Sequence, residues 1–238
     1  MCGINGIFQL KLKPIAEPEA QLRAMNQLLE HRGPDGEGIW IHPQQNIGFG
    51  HRRLSIIDLT TGDQPMQDNE GNWITYNGEI YNYIELREEL GNQRFHTSSD
   101  TEVILQAYRK WGKDCVHHLR GMFSFALWDE KEKALFCARD RFGIKPFYYT
   151  VVNDVFYFAS EAKALLPFVK SIETDLDGLK EYLAFQFCLG EKTLFKGIKQ
   201  LLPAHTLMIK NGRLIIEKYW EVFFTHDWHH TEQYFEEK

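Results

Sequence analysis

Two rhythms of apolar and polar residues alternate along the 238-residue chain. Apolar and β-branched runs bounded by polar or turn segments predict strands over residues 3–10 and 47–57. Between them Leu22, Met25 and Leu29 recur at helical spacing. Pro18 stands near the start and Gly33-Pro34 at the stop, so residues 18–30 predict a helix. A second helix is predicted after Gly78, carrying Ile80, Tyr83, Ile84 and Leu86 before Gly91. A third begins at a capping box, Ser99-Asp100-Thr101-Glu102, with Val103, Ile104, Ala107, Tyr108 and Trp111 on its apolar face and Gly112 at its end. Short strands over 122–128, 134–138, 147–151 and 155–159 follow too closely for crossover helices, which predicts antiparallel meanders. Residues 161–166 and 176–187 read as helical, and 206–209 with 214–218 as a hairpin around Asn211-Gly212. The expected fold class is α+β, a mixed sandwich. Residues 1–219 form its domain, and 220–238, without periodicity, form a linker or the start of a further domain.

Composition narrows the function. A net charge of −6 with scattered lysines and arginines gives no basic footprint, so neither nucleic acid nor an anionic membrane is expected as a partner. No basic segment leads into an apolar stretch at the amino terminus, and no run approaches about 18 apolar residues, so a cytoplasmic protein is expected. Cys2, Cys115, Cys137 and Cys188 lie far apart without a Cys-x-x-Cys pair, against a disulfide framework or a zinc ribbon. Three of them read as buried small hydrophobes. His226, His229 and His230, and the pair His117-His118, are the closest histidine groups, and neither has metal-ligand spacing, so no metal site is expected.

Cys2 is the residue that departs from an ordinary globular pattern. It follows Met1 directly, and an initiator methionine before so small a residue is commonly removed. Cys2 would then carry a thiol and a free α-amine on one skeleton, with ordinary pKa values of about 8.5 and about 7.7–8.0, so that the amine can accept the thiol proton. Gly3 and Gly6 flank the strand that follows, and small residues there would let substrate and backbone approach the thiol. The loop His31-Arg32-Gly33-Pro34-Asp35-Gly36 reads first as a helix stop. Strand alternation sends Arg52 and Arg53 to opposite faces, so Arg53 could reach a carboxylate bidentately while Arg52 takes the other side. Tyr76-Asn77-Gly78-Glu79 holds a turn signal followed by an apparent helix, leaving the Asn77 amide and the Gly78 N–H as two donors suited to a tetrahedral oxyanion. Asp100 is placed to stabilise a helix N-terminus and could equally receive an ammonium group. A nucleophile with its own amine, an arginine, an aspartate and an oxyanion pair describe a site for an amino acid with a cleavable side-chain amide, which points to glutamine.

These residues stand in ordered motifs. Met1-Cys2-Gly3-Ile4-Asn5-Gly6, His31-Arg32-Gly33-Pro34-Asp35, Arg53-Leu54-Ser55-Ile56-Ile57-Asp58, Gln64-Pro65-Met66, Asn77-Gly78-Glu79-Ile80-Tyr81-Asn82 and Gly121-Met122-Phe123-Ser124-Phe125-Ala126 come in that order. Arg139-Asp140-Arg141-Phe142-Gly143-Ile144-Lys145-Pro146 and Ser160-Glu161-Ala162-Lys163-Ala164-Leu165 complete them. To about Trp220 the chain resembles the glutaminase domain of glutamine-hydrolysing asparagine synthetases, which are class II amidotransferases. The resemblance implies a four-layer αββα sandwich of the N-terminal nucleophile hydrolase type. It implies Cys2 as nucleophile, Asn77 and Gly78 as oxyanion hole, Arg53 for the glutamine carboxylate, and Asp100 with help from Glu79 for its ammonium. It implies no cofactor in this domain. ATP and Mg2+ would serve a C-terminal synthetase domain that converts aspartate to asparagine with the released ammonia, and the full-length protein is compatible with a homodimer. The ATP-binding Ser-Gly-Gly-x-Asp-Ser type sequence of that second domain does not occur in these residues. Two alternatives stay open: an amidotransferase for another carboxylate acceptor, in secondary metabolism or surface-polysaccharide pathways, and a non-catalytic interaction module.

Overall fold

The computed structural model describes residues 1–54, 62–224 and 231–236. In chain order the strands are β1 (Gly3–Gln9), β2 (Gly36–Ile41), β3 (Ile47–Arg53), β4 (Met66–Gln67), β5 (Trp73–Ile80) and β6 (Gly121–Asp129). Then come β7 (Ala134–Arg139), β8 (Tyr148–Val152), β9 (Val155–Ala159), β10 (Lys199–Gln200), β11 (His205–Lys210) and β12 (Arg213–Lys218). The helices are α1 (Pro18–Leu28), α2 (Tyr83–Leu90), α3 (Asp100–Trp111), α4 (Cys115–His118), α5 (Leu176–Phe185) and α6 (Glu232–Glu236). The strands pair antiparallel into two sheets, β10-β8-β9-β1-β3-β2 and β12-β11-β7-β6-β5-β4.

Side-chain alternation builds the layers. In β6, Phe123, Phe125 and Leu127 turn outward with Ile104, Ala107 and Leu86 of the helices α2 and α3. Their neighbours Ala126 and Trp128 turn inward against Phe8, Phe49 and Phe158 of the other sheet. On the far face of the first sheet, Ile7 and Tyr157 pack under Leu22, Met25 and Leu29 around α1. Helix, sheet, sheet and helix therefore stack as four layers around three apolar seams, the α+β sandwich expected from the sequence. Among the described residues no helix is long and apolar enough to cross a membrane.

Several boundaries differ from the pattern reading. The strand expected over 47–57 ends at Arg53, and the part of that expectation over 55–57 lies outside the described residues. β2 was not anticipated, since Gly36 and Gly38 dilute its apolar content. The larger correction concerns Asn77-Gly78, which is no turn. It lies inside β5, which pairs with β6 without interruption from Trp73↔Trp128 to Ile80↔Gly121, and this ladder overrides the local turn preference. Ile80 accordingly ends a strand, and the second helix begins only at Tyr83. The capping box at α3 is half made: the Ser99 hydroxyl accepts from the Thr101 N–H at 3.2 Å, whereas the Glu102 carboxylate turns to the N–H groups of His96 and Thr97. Residues 162–168 form a 3₁₀ helix containing Pro167. The Asn211-Gly212 hairpin is as expected, with φ of 52° and 72° at the two turn residues. In the tail α6 is a five-residue helix, while His226, His229 and His230 lie outside the described residues.

Candidate active site

The sandwich brings three chain segments far apart in sequence to one end. Cys2 precedes β1, Arg53 closes β3 in the same sheet, and Tyr76 to Glu79 end β5 in the facing sheet. Together with Asp100 at the start of α3 they line one cavity: Cys2, Arg53, Asn77, Gly78, Glu79 and Asp100 all contribute. Every site residue read from the sequence is thus assembled in one place. Gln64, Tyr76, Met122 and Lys145 also line it and had been assigned no role.

The geometry of β5 explains how an N–H is left available there. In an antiparallel ladder a residue's N–H and C=O point to the same side. Phe123 spends both on Asp140, its carbonyl accepting from the Asp140 N–H at 2.8 Å and its N–H donating to the Asp140 carboxylate at 3.3 Å. The pair Gly78↔Phe123 is therefore not hydrogen-bonded across β5 and β6, and the Gly78 N–H points to the outer edge of β5. So do those of Tyr76 and Ile80, two residues to either side. β4 covers that edge only at Trp73 and Ile74. Beyond it side chains take over: the Tyr76 N–H donates to Gln64 Oε1 at 2.6 Å, and the Ile80 N–H donates to Asp100 Oδ2 at 2.9 Å. Between these two engaged groups the Gly78 N–H has no partner among the described residues. Asn77, on the inward face of the strand, is 1% exposed, and its Nδ2 is also without a partner. Glycine is required at 78 because a Cβ would stand 2.3 Å from the Met122 carbonyl oxygen and 2.6 Å from the Tyr76 ring.

Asp100 is buried, and burial raises its carboxyl above the ordinary range; nearby Glu79 pushes the same way, while the bonds from Ile80 and Tyr76 oppose. Tyr76 Oη donates to the same Oδ2 at 2.7 Å. Burial first, then Asp100, raises the Tyr76 hydroxyl well above its usual value, so it remains a donor. Both bonds fall on one carboxylate oxygen. Arg53 Nη1 is 2.8 Å from Asp63 Oδ1. Arg52 points the other way, donating to the Gly33 carbonyl at 3.1 Å and pairing with Glu37, so the alternation expected for the arginine pair is what the strand displays.

Around Cys2 the sulfur accepts from the Leu54 N–H at 3.4 Å. Arg32 Nε donates to the Cys2 carbonyl at 3.0 Å, and Arg32 Nη1 is 2.9 Å from Glu161, which His31 also contacts. Arg32 is thus more than part of a helix stop: the turn carries a side chain that anchors the start of the chain. The glycines act differently from expectation. A Cβ at Gly6 would enter the Phe158 ring at 2.4 Å, and one at Gly3 would meet Leu29 at 3.1 Å, so both serve packing against neighbouring elements rather than substrate approach. Of the other cysteines, Cys115 and Cys137 are buried, which pushes both thiols up and keeps them protonated. Cys188 is only partly buried, contrary to expectation. Among the described residues no three His, Cys, Asp or Glu side chains gather as a metal site.

A thiol, two unpaired amide donors, a carboxylate and an arginine thus share the lining of one cavity in a four-layer sandwich. The chain belongs to the Glutamine amidotransferase domain family, whose profile matches residues 1–220. It is 44% identical over 229 residues to asparagine synthetase [glutamine-hydrolyzing] 1 of Bacillus subtilis, covering 94% of this chain and 36% of that protein. It is 40% identical to a putative asparagine synthetase [glutamine-hydrolyzing] of Methanocaldococcus jannaschii, covering 93% of this chain and 47% of the relative. The chain therefore spans less than half of these relatives' length. In fold it resembles glutamine phosphoribosylpyrophosphate amidotransferase from B. subtilis, with a TM-score of 0.66 at 21% identity over 92% of this chain and 49% of that one.

Proposed function

We propose that this chain hydrolyses L-glutamine to glutamate and ammonia through a thioester on Cys2. The observation that carries the proposal is the Gly78 N–H, left unpaired between two engaged neighbours and beside the unpaired Asn77 amide, in the cavity that holds Cys2. Once Met1 is removed, the Cys2 α-amine takes the thiol proton and the sulfur attacks the side-chain amide carbon. Asn77 and Gly78 receive the oxyanion. The α-ammonium returns its proton to the departing nitrogen, ammonia leaves, and water then cleaves the thioester. Arg53 binds the substrate carboxylate, while Asp100, assisted by Glu79, binds its ammonium. Ammonia serves a C-terminal synthetase domain that uses ATP and Mg2+ to amidate aspartate, in the cytoplasm. The length of the relatives and their names support this reading.

The test is ammonia release from glutamine by the processed chain, with removal of Met1 verified by intact mass. Cys2→Ala should abolish release while leaving the melting temperature unchanged. Undiminished ammonia from Cys2→Ala would sink the assignment.

A further inference from the structure

Among the described residues that line the cavity, Lys145 is the one charged side chain that the scheme above leaves unused. It is 6% exposed, yet among the described residues it makes no ion pair, and its Nζ donates only to Met1 Sδ at 3.4 Å. An ammonium buried without a counter-ion is costly, and burial indeed lowers its pKa; negative charge at Cys2 opposes that shift, as do Asp140 and Glu79, while Arg32 adds to it.

The loop carrying Lys145 is built to hold this position. Asp140, fully buried, accepts from the N–H groups of Phe142, Ile144 and Lys145 at 3.1, 2.9 and 2.9 Å. Arg139 donates to the carbonyls of Lys145, Gly143 and Leu201 at 2.8, 2.9 and 2.6 Å. Both backbone polar groups of Lys145 are therefore clamped by buried charged side chains. The tight turn before it uses Gly143 at φ +66°. Such rigidity around one cation in the wall of the Cys2 cavity is the mark of a positioned charge. Removal of Met1 takes away the one hydrogen-bond partner its Nζ has among the described residues, and the ammonium is then left in the wall of the site.

We propose that Lys145 supplies the counter-charge for the Cys2 sulfur while that sulfur is anionic, an inference that rests on the glutaminase reading. The proton passes from the thiol to the α-amine, so charge separates within one residue. The sulfur's charge then moves to the amide oxygen as the carbon–sulfur bond forms. Lys145 keeps its proton throughout and stabilises the sulfur before attack and again as the thioester is cleaved.

The experiment uses processed native protein with Lys145→Met, Lys145→Gln and Lys145→Arg. Iodoacetamide alkylation of Cys2, followed by mass of the N-terminal peptide, reports the nucleophile without substrate, and glutamine turnover gives kcat and KM. The two neutral variants should lose about tenfold in alkylation rate and in kcat, with KM within about twofold, while Lys145→Arg stays within about threefold of native. An unchanged alkylation rate, or a raised KM with unchanged kcat, which would make Lys145 a substrate-carboxylate ligand, overturns the proposal. Should both neutral variants fail to fold, native Cys2 is compared at pH 6.5 with a peptide of residues 2–8. A rate at least tenfold above the peptide supports the proposal, and equal rates overturn it. Cys2→Ala keeps the two ideas apart: ammonia release surviving in it defeats the glutaminase reading. Loss in Cys2→Ala with no effect in the Lys145 variants defeats only the role of Lys145.

Discussion

Replacing Gly78 with alanine tests the oxyanion geometry with the least chemical change. The added Cβ would stand 2.3 Å from the Met122 carbonyl oxygen, 2.6 Å from the Tyr76 ring and 2.8 Å from the Phe123 Cα. Ordinary carbon contacts lie near about 3.5 Å. Two of the three clashes are with backbone, so β5 must move away from β6 by about 1 Å. Overpacking of this kind costs about 1–3 kcal/mol, or about 2–12 °C in Tm for a domain of this size. The same shift carries the Gly78 N–H out of line with the oxyanion, and misplacement by about 1 Å or loss of one donor each lowers kcat by about 100-fold or more. Ammonia release at saturating glutamine and a melting curve measure the two effects. Gly190→Ala is the control: Gly190 has φ +63° and open space around it, so alanine there costs only backbone strain of about 1–2 kcal/mol and should leave kcat native. Gly78→Ala with kcat within about threefold of native would refute the argument that this N–H is catalytic.

Three further outcomes follow from buried polar groups. Tyr76→Phe removes one of the two bonds to Asp100 Oδ2 and should raise KM for glutamine about tenfold, as for a lost bond to a charged group of about 1.5 kcal/mol, with kcat nearly unchanged; a kcat loss instead would place Tyr76 in the chemistry. Because burial raises Asp100, its charged form, needed for the substrate ammonium, is lost as pH falls through a value above the ordinary carboxylate range, so KM should climb there, and Asp100→Asn should show a high KM that no longer depends on pH in that range. His51 is held down to about 3, by burial and then by Arg53. Its neutral state contributes stability present above the unfolded value near 6.5 that is lost as pH falls towards 3, so His51→Gln should unfold at lower pH in an acid titration followed by circular dichroism.

What could be read from sequence tracks what is local. The site residues were legible because their roles need particular residue types: a thiol behind the initiator, an Asn-Gly pair, an arginine on a strand and an aspartate starting a helix. α1, α3 and the β11–β12 hairpin showed themselves through periodicity, caps and an Asn-Gly turn. The setting of Asn77-Gly78 did not, because the same dipeptide that makes a turn in the hairpin sits in a strand when β6 offers eight residues of ladder. The availability of the Gly78 N–H follows from Phe123 being engaged by Asp140, a partner 17 residues on, and no local pattern carries that information. Arg32 and Lys145 were hidden for a similar reason: each looks like a surface cation until the fold buries it beside Cys2.

The Cys2 carbonyl is tied to Arg32, and Met1 already lies in the wall of the cavity. On the proposed mechanism the nucleophile must also be the first residue, and such a domain can be joined to other proteins from one side only. Genetic fusion, affinity tags and partner domains all have to follow β12. Any extension ahead of Cys2 that processing fails to remove would occupy the substrate's place and block the amine at once, so the order of modules in a larger polypeptide is dictated here by reaction chemistry rather than by packing.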